Sequence, residues 1–418
     1  MHPTAGALHL TFRFLHTADL HLDSPLVSLA LRDPALAAEV ATASRTTLTR
    51  IIDLCLSEQV HALIIAGDLW DGSQTSAKTP RFLKQELQRL SDAGIRCFII
   101  RGNHDAASKV TRELDPPPLT HVFGTKAATQ SFEAGGQMIA VHGLSFAEGA
   151  VPESLLPRYP APVPGAFNIG MMHTSLNGAQ GHDLYAPCAV ADLDAHGYDY
   201  WALGHIHIRS QHLGRAAVVM PGIPQGRDMG EAGPRSVTLG HFDGKLTLEE
   251  RFLAPLRFDR VTLDLTGLTD WTELLARLQA TLHGAPRTED HLVLRATLTG
   301  ATPLAFRIAR DLDRLKQEAL TLAEGLPGLW IDKLENRTTG EAASALPADL
   351  VQIVTADLPA DPAVMETLTR LAADVLQDLP PELRDLLGQD EEALKAACDT
   401  LLRGGIDRLL PRLSLGEA

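Results

Sequence analysis

Short apolar runs, each closed by a cluster of Asp, His, Asn or Gly, set the rhythm of residues 11–250. The clearest is His61-Ala62-Leu63-Ile64-Ile65-Ala66, which leads into Gly67-Asp68. A short aliphatic run with no polar alternation predicts a strand buried on both faces. The theme recurs in Leu10–Leu15 before Ala18-Asp19-Leu20-His21, and in Arg96–Ile100 before Gly102-Asn103-His104-Asp105. It recurs again in Phe167–Met172 before His173 and in Tyr200–Leu203 before Gly204-His205-Ile206-His207. Helical spacing fills Thr46–Gln59 and Pro80–Ala93, so strands alternate with helices and the chain reads as α/β with a layered sheet. Ala216–Met220 and Ser236–Phe242 look like later hairpin strands.

The pattern changes near Pro255. Residues 257–336 read strand (Phe258–Leu265), helix (Trp271–Leu282), strand (His291–Leu298), helix (Pro303–Glu318), strand (Gly328–Leu334). Asp270, with Glu273 three residues on, is a helix start signal. These features divide the chain into a leader at 1–10, read as disordered, a main domain at 11–254 and a small α+β module at 255–337. A linker at 338–348 and a helical segment at 349–418 follow. The apolar stripes of that last segment, such as Leu368, Leu371, Val375 and Leu401, read as core rather than partner surface.

Length and composition agree with this division. At 418 residues and 45% hydrophobic, the chain can bury a sizeable core, and global disorder is excluded. The formal charge of −15 argues against nonspecific coating of nucleic acid or anionic membrane. Residues 341–418 hold 15 acidic and 6 basic side chains, so most of the deficit lies outside the main domain. The four cysteines form no CxxC pair, which suggests neither a zinc ribbon nor a disulfide scaffold and fits a reduced, cytoplasmic setting. No run of 18 apolar residues predicts a membrane span, and the N-terminus does not look like a signal peptide.

The chemistry sits where the strands end. In open α/β sheets, sites form at the carboxyl ends of strands, so Asp19, His21, Asp68, Asn103, His173, His205 and His207 should converge on one edge. A D-x-H or H-x-H pair can aim two ligands the same way, because alternate residues share a face. Two carboxylates, one amide oxygen and four imidazoles over-supply a single ion but suit two ions bridged by one carboxylate. Mixed nitrogen and oxygen ligation suits Mn²⁺, Fe²⁺, Co²⁺ or Zn²⁺ better than an all-oxygen cage for Mg²⁺ or Ca²⁺. Taken singly, each of these residues is no more than a polar loop residue; five blocks in order are specific. Asp23, His16, His142 and Arg227 read as cap, packing or exposed loop residues, and Cys55 and Cys97 as small buried groups.

The blocks Asp19-Leu-His21, Gly67-Asp68, Gly102-Asn103-His104-Asp105, His173 and Gly204-His205-Ile206-His207 resemble the motifs of the calcineurin-like metallophosphoesterases. The strings His16–Pro25 and Tyr198–His207, and Pro221-Gly222 followed by Gln225-Gly226-Arg227, are similar to SbcD-like DNA repair exonucleases, especially their YhaO branch. The resemblance covers roughly residues 11–250. It implies a four-layer α/β/β/α sandwich with an α+β capping domain and a C-terminal helical segment. It also implies two divalent ions, Mn²⁺ being the expected one. Asp19, His21 and His207 would hold one, Asn103, His173 and His205 the other, and Asp68 both. His104 would protonate the leaving oxygen or contact the phosphate, and Asp105 would orient a histidine.

The activity implied is hydrolysis of DNA phosphodiesters as an exonuclease or endonuclease. The implied partners are DNA, an SMC/ABC-type ATPase docked through the C-terminal helices, and a second copy in a homodimer. The alternative is a phosphodiesterase or phosphatase acting on nucleotides or other small phosphoesters. Phosphoprotein phosphatases of this fold typically carry G-D-x-x-D-R-G and G-N-H-E, and here the arginine and the glutamate are absent. A non-catalytic scaffold is the third possibility, and the complete ligand set speaks against it.

Overall fold

A computed structural model describes residues 11–24, 34–70, 78–107, 115–176, 185–286, 288–340, 347–378 and 390–414. The leader expected at 1–10 and much of the expected linker lie outside the described residues. Contacts divide the chain into two compact units, Met1–Asp259 with Arg287–Val293, and Arg260–Pro286 with Leu294–Ala418.

The first unit runs β1 (Phe12–Thr17), α1 (Pro34–Ser57), β2 (Ala62–Ala66), α2 (Lys78–Asp92), β3 (Arg96–Ile100), α3 (Asn103–Ala107) and β4 (Thr120–Val122). It continues with β5 (Ala128–Ala134), β6 (Gln137–Gly143), β7 (Phe167–His173), α4 (Val190–His196), β8 (Tyr200–Gly204), β9 (Ser210–Leu213) and β10 (Ala217–Met220). The hairpin β11 (Ser236–Phe242) and β12 (Leu246–Phe252) closes it. One six-stranded sheet has the order β12-β11-β1-β2-β3-β4 and the other β5-β6-β7-β8-β10-β9. β1, β2, β3 and β4 are parallel, as are β6, β7, β8 and β10, while β11, β12, β5 and β9 pair antiparallel.

The central strands are uniformly aliphatic because both of their faces are covered. Alternate residues of β2 face opposite ways. Ala62, Ile64 and Ala66 join Phe14, Phe98, Ile169, Met171 and Tyr200 in a core between the two sheets. Leu63 and Ile65 point outward to a second core with Leu48, Ile51, Leu83 and Leu87 of α1 and α2. On the other sheet, Met172, Trp201 and Leu203 meet Leu193 of α4 and the loop residues Leu155 and Tyr159. Helix, sheet, sheet, helix is therefore the layering, as the resemblance implied. The elements β4, β5, β9, β12 and α4 carry no apolar run strong enough to be read from pattern, whereas β6 carries a short one, Met138–Val141, outside the expected strands.

A three-stranded sheet of order β13-β14-β15 follows, with β13 (Leu256–Asp264), β14 (His291–Ala301) and β15 (Leu329–Thr339). Helix α5 (Trp271–Gly284) begins where expected, the Asp270 carboxylate accepting the Glu273 N–H at 2.9 Å. The single helix expected over Pro303–Glu318 is two, α6 (Ala305–Arg310) and α7 (Leu312–Glu324), broken at Asp311. Beyond lie α8 (Ala348–Gln352), α9 (Leu358–Ala360), α10 (Pro362–Asp378) and α11 (Glu391–Ser414). Their stripes are only partly core, since Cys398 and Ile406 are buried but Leu371, Val375 and Leu401 stay more than half exposed. Among the described residues no helix is long and apolar enough to cross a membrane.

Helix α1 ends in a Schellman turn. The Val60 N–H donates to the Cys55 carbonyl at 3.1 Å and the Gln59 N–H to the Leu56 carbonyl at 3.3 Å. Gln59 occupies the left-handed position at φ +50°, which glycine favours, and its side chain is exposed. Gln59→Gly should therefore stabilise the chain by about 0.5–1 kcal/mol, read as a higher denaturant midpoint.

Candidate metal centre

The segments after β1 and β2 leave the sheet together. Asp19 N–H donates to the Gly67 carbonyl at 2.9 Å, His21 N–H to the Asp68 carbonyl at 3.0 Å, and Leu22 N–H to the Leu69 carbonyl at 3.0 Å. Asp19, His21 and Asp68 all have left-handed backbones, at φ +54°, +40° and +51°, and His205 after β8 stands at +104°. Non-glycine residues rarely adopt this region, and each instance costs on the order of 1–3 kcal/mol. These turns bring side chains that would otherwise alternate between faces to one place.

All eight site residues expected from the sequence are brought together. Ligand atoms of Asp19, His21 and His207 lie within 4.8 Å of one another, as do those of Asp68, His173 and His205. Asn103 joins the second group through Oδ1, 3.0 Å from His173 Nε2. Asp68 Oδ2 lies between the groups, 3.4 Å from His173 Nε2 and 3.8 Å from His21 Nε2. His104 stands edge-on to the His21 ring at 4.8 Å, and its backbone N–H donates to Asp68 Oδ1 at 3.0 Å. A third trio, His21, Asp68 and His104, is as tight as the other two. Both oxygens of Asp19 accept the His205 N–H, at 3.0 and 3.1 Å, tying β1 of one sheet to β8 of the other.

Close approach needs glycine at two points. A Cβ on Gly204 would sit 2.1 Å from the Ala66 carbonyl oxygen, and one on Gly102 2.2 Å from Asp68 Oδ1. Asp105 has a role that the residue pattern did not suggest. Its carboxylate accepts backbone N–H groups from Leu69 and Trp70 at 3.0 and 3.1 Å and from Gly102 at 3.0 Å. Asp105 therefore stitches the loop after β2 to the loop after β3. His16 and His142 are buried packing residues, His16 bonded to Tyr200 and His142 to Asn168. Asp23 is an ion-pair anchor, gripped by Arg45 and hydrogen-bonded by Thr79.

The electrostatics are those of a crowded, dry site. Burial pushes the Asp19 carboxyl up to about 6, against the pull of His173 and His207. Burial likewise drives the His21 imidazole down to about 3, Asp68 opposing. Around Asp68, burial is overcome by His173 and His21, which hold the carboxyl well below the usual range. His173 is the converse case, for burial is outweighed by Asp68 and Asp19, which raise it to about 9. A divalent cation fits this donor set. His21 Nδ1 is buried without a hydrogen-bond partner, and His21 Nε2 faces His207 Nε2 at 3.2 Å, two ring nitrogens aimed at each other. His173 Nδ1 lies 3.0 Å from the Ala66 carbonyl, so it keeps its proton when the ring is neutral, and Nε2, beside Asn103 and Asp68, is then the atom left for a cation.

Glu231 carries no signal in the sequence that points to the site. It lies 2.6 Å from His207 Nδ1 and is held by Arg227, which is half-buried rather than an exposed loop arginine. The Arg227–Glu231 spacing of four hints at an ion pair. Nothing local connects either residue with His207.

Comparison with known proteins agrees with this geometry. Residues 12–209 match the calcineurin-like phosphoesterase family, and residues 258–339 match the middle domain of metallophosphoesterase YhaO. The chain is 31% identical over 342 residues to an uncharacterized metallophosphoesterase YhaO of Bacillus subtilis, covering 79% of this chain and 82% of that one. It is 23% identical to the DNA double-strand break repair protein Mre11 of Methanopyrus kandleri, over 90% of this chain and 85% of that one. With one of the subunits of the SbcCD nuclease of Bacillus subtilis it shares 27% identity, over 54% of this chain and 65% of that one. The chain is thus of a metal-dependent hydrolase class that uses two divalent ions. It belongs to the calcineurin-like metallophosphoesterases and carries the middle domain of their YhaO-type members.

Proposed function

We propose that this metallophosphoesterase is a two-metal DNA exonuclease and endonuclease that cleaves phosphodiester bonds in DNA repair. The observation that supports it most is the gathering of two carboxylates, four imidazoles and an amide around Asp68, at the strand ends of both sheets. The names of two relatives, a double-strand break repair protein and a nuclease subunit, point to DNA as the substrate. Asp19, His21 and His207 would hold one ion and Asn103, His173 and His205 the other, with Asp68 serving both and Mn²⁺ the working metal. Two such ions supply positive charge to the attacking and leaving oxygens of an in-line displacement and ease deprotonation of the attacking water.

The chain's own residues do the rest. Asp19 holds the His205 backbone, and Asp105 holds the two loops that carry Asp68 and Asn103. His104, tied to Asp68 through its N–H, is the residue that gives a proton to the leaving oxygen. The acidic balance of the chain means that its grip on DNA depends on the metals and on partners. The α+β module at 255–337 acts as the capping domain, and 349–418 docks an SMC/ABC-type ATPase. The catalytic unit works as a cytoplasmic homodimer.

The test is hydrolysis of end-labelled single- and double-stranded DNA, and of bis-p-nitrophenyl phosphate, with and without Mn²⁺. Wild-type protein should cut DNA only with metal and lose activity on dialysis against EDTA. Asp68→Ala and His205→Ala should abolish it. Cleavage of the small diester but of neither DNA would replace the nuclease reading with one of small-phosphoester hydrolysis. His104→Leu should keep wild-type metal content while turnover falls roughly 10²–10⁴-fold. Loss of metal in that variant would make His104 a ligand instead.

A further inference from the structure

We propose that Glu231 is the positioning residue for His207, holding its imidazole as the Nδ1–H tautomer so that Nε2 is the atom presented to the metal centre. This deepens the two-ion reading and rests on it. The geometry is specific. Glu231 Oε1 lies 2.6 Å from His207 Nδ1, and Glu231 is only 12% exposed. The carboxylate is itself tied down by its other neighbours. The Arg227 N–H donates to Oε2 at 2.7 Å, and the Arg227 guanidinium to Oε1 at 2.7 Å through Nη2. The backbone of the same loop is fixed by Arg235, whose Nε donates to the Glu231 carbonyl at 3.0 Å and whose Nη1 donates to the His207 carbonyl at 2.8 Å. Arg235 thus joins the two residues a second time, independently of the carboxylate.

The consequence follows from hydrogen-bond inventory. Two groups face Nδ1. The Glu231 carboxylate, at 2.6 Å, only accepts when ionised. Arg227 Nη2, at 3.3 Å, only donates, but makes its shorter bond, 2.7 Å, to Glu231 Oε1. The closer partner therefore sets the proton on Nδ1. In the neutral ring Nε2 is then left as a lone pair. That lone pair faces His21 Nε2 at 3.2 Å, inside the trio with Asp19. The same device recurs across the site with a different acceptor, His173 Nδ1 being set by the Ala66 carbonyl at 3.0 Å. Each of the two proposed ion positions therefore has one imidazole whose donor nitrogen is selected before any ion arrives. His21, whose buried Nδ1 lacks a hydrogen-bond partner, is not selected in this way. A carboxylate behind a ligating imidazole both fixes its orientation and raises its basicity. Glu231 thus does for His207 what a carbonyl does for His173, with a full negative charge in place of a dipole.

A purely structural role, in which Glu231 only anchors the loop to Arg227, predicts that folding suffers and His207 does not notice. The discriminating measurement is the tautomer. The full chain, labelled with ¹⁵N-histidine and freed of metal with EDTA, is examined by long-range ¹H–¹⁵N correlation, with His207→Gln identifying the resonances. Wild type should show His207 as the Nδ1–H form. Glu231→Ala should lose that preference, and so should Glu231→Gln, because an amide can donate as readily as it accepts. The Gln variant keeps the size and, through its one oxygen, can still accept from Arg227, so it decides the matter if the Ala variant melts early. Titration with Mn²⁺, followed through the signal of the free ion, should show one of two ions weakened roughly 10–100-fold in both variants and the other unchanged. An Nε2–H tautomer in the wild type, an unchanged tautomer in the variants, or wild-type affinity for both ions would overturn the proposal. If the wild type itself takes up no Mn²⁺, the two-ion reading falls, while the tautomer still decides whether Glu231 controls His207.

Discussion

The site depends on a backbone conformation that L-amino acids avoid. Asp19, His21, Asp68 and His205 stand at positive φ at or just beyond the ends of β1, β2 and β8. A strand that simply continued would send successive side chains to opposite faces. The left-handed turn instead folds the chain over the sheet edge, so that β1 and β2 of one sheet meet β7 and β8 of the other. Such strain persists only where the surroundings over-determine it. Here they do, through paired N–H to carbonyl bonds from Asp19 to Gly67 and from His21 to Asp68, and through the Asp19 carboxylate on the His205 N–H.

Buried charge is the second constraint, and it works with the first. Asp19, Asp68 and Asp105 are each almost entirely buried. A buried carboxylate is tolerable only when hydrogen-bonded or paired. Asp105 takes three backbone donors and lies behind Asp68, whose charge adds to burial in pushing Asp105 up to about 7. Asp68 is held ionised by imidazoles. The arrangement makes the loops after β2 and β3 one rigid piece, which is what a preorganised centre requires. The acidic excess of the chain has little to do with these buried groups, since the densest part of it belongs to residues 341–418.

Much of the fold is legible because the two-sheet core imposes a recognisable pattern. Strands buried on both faces must be uniformly apolar, so Ala62–Ala66, Arg96–Ile100, Phe167–His173 and Tyr200–Gly204 announce themselves. Strands with one exposed face or at an edge do not, and β9 and β12 are silent for that reason. The break at Asp311 is hidden because apolar spacing continues across it. The stripes of α10 and α11 imitate core because periodicity reports amphipathicity without saying what covers the face.

By itself the sequence determined the order of the central strands and of the first helices between them, the α/β class, and the residue types that end each central strand. Those are local properties, set by periodicity and by which side chains follow an apolar run. Only the tertiary structure decided which atoms meet. Four residues with side chains that usually avoid positive φ adopt it because distant hydrogen bonds hold them there. Asp105 binds the backbone of two loops, because the loops after β2 and β3 come within its reach. Glu231 reaches His207 from 24 residues away, a contact made by the fold of a loop that carries no periodic signal. The types of the candidate ligands follow from local chemistry, whereas their aim and electrostatic environment follow from neighbours that only folding supplies.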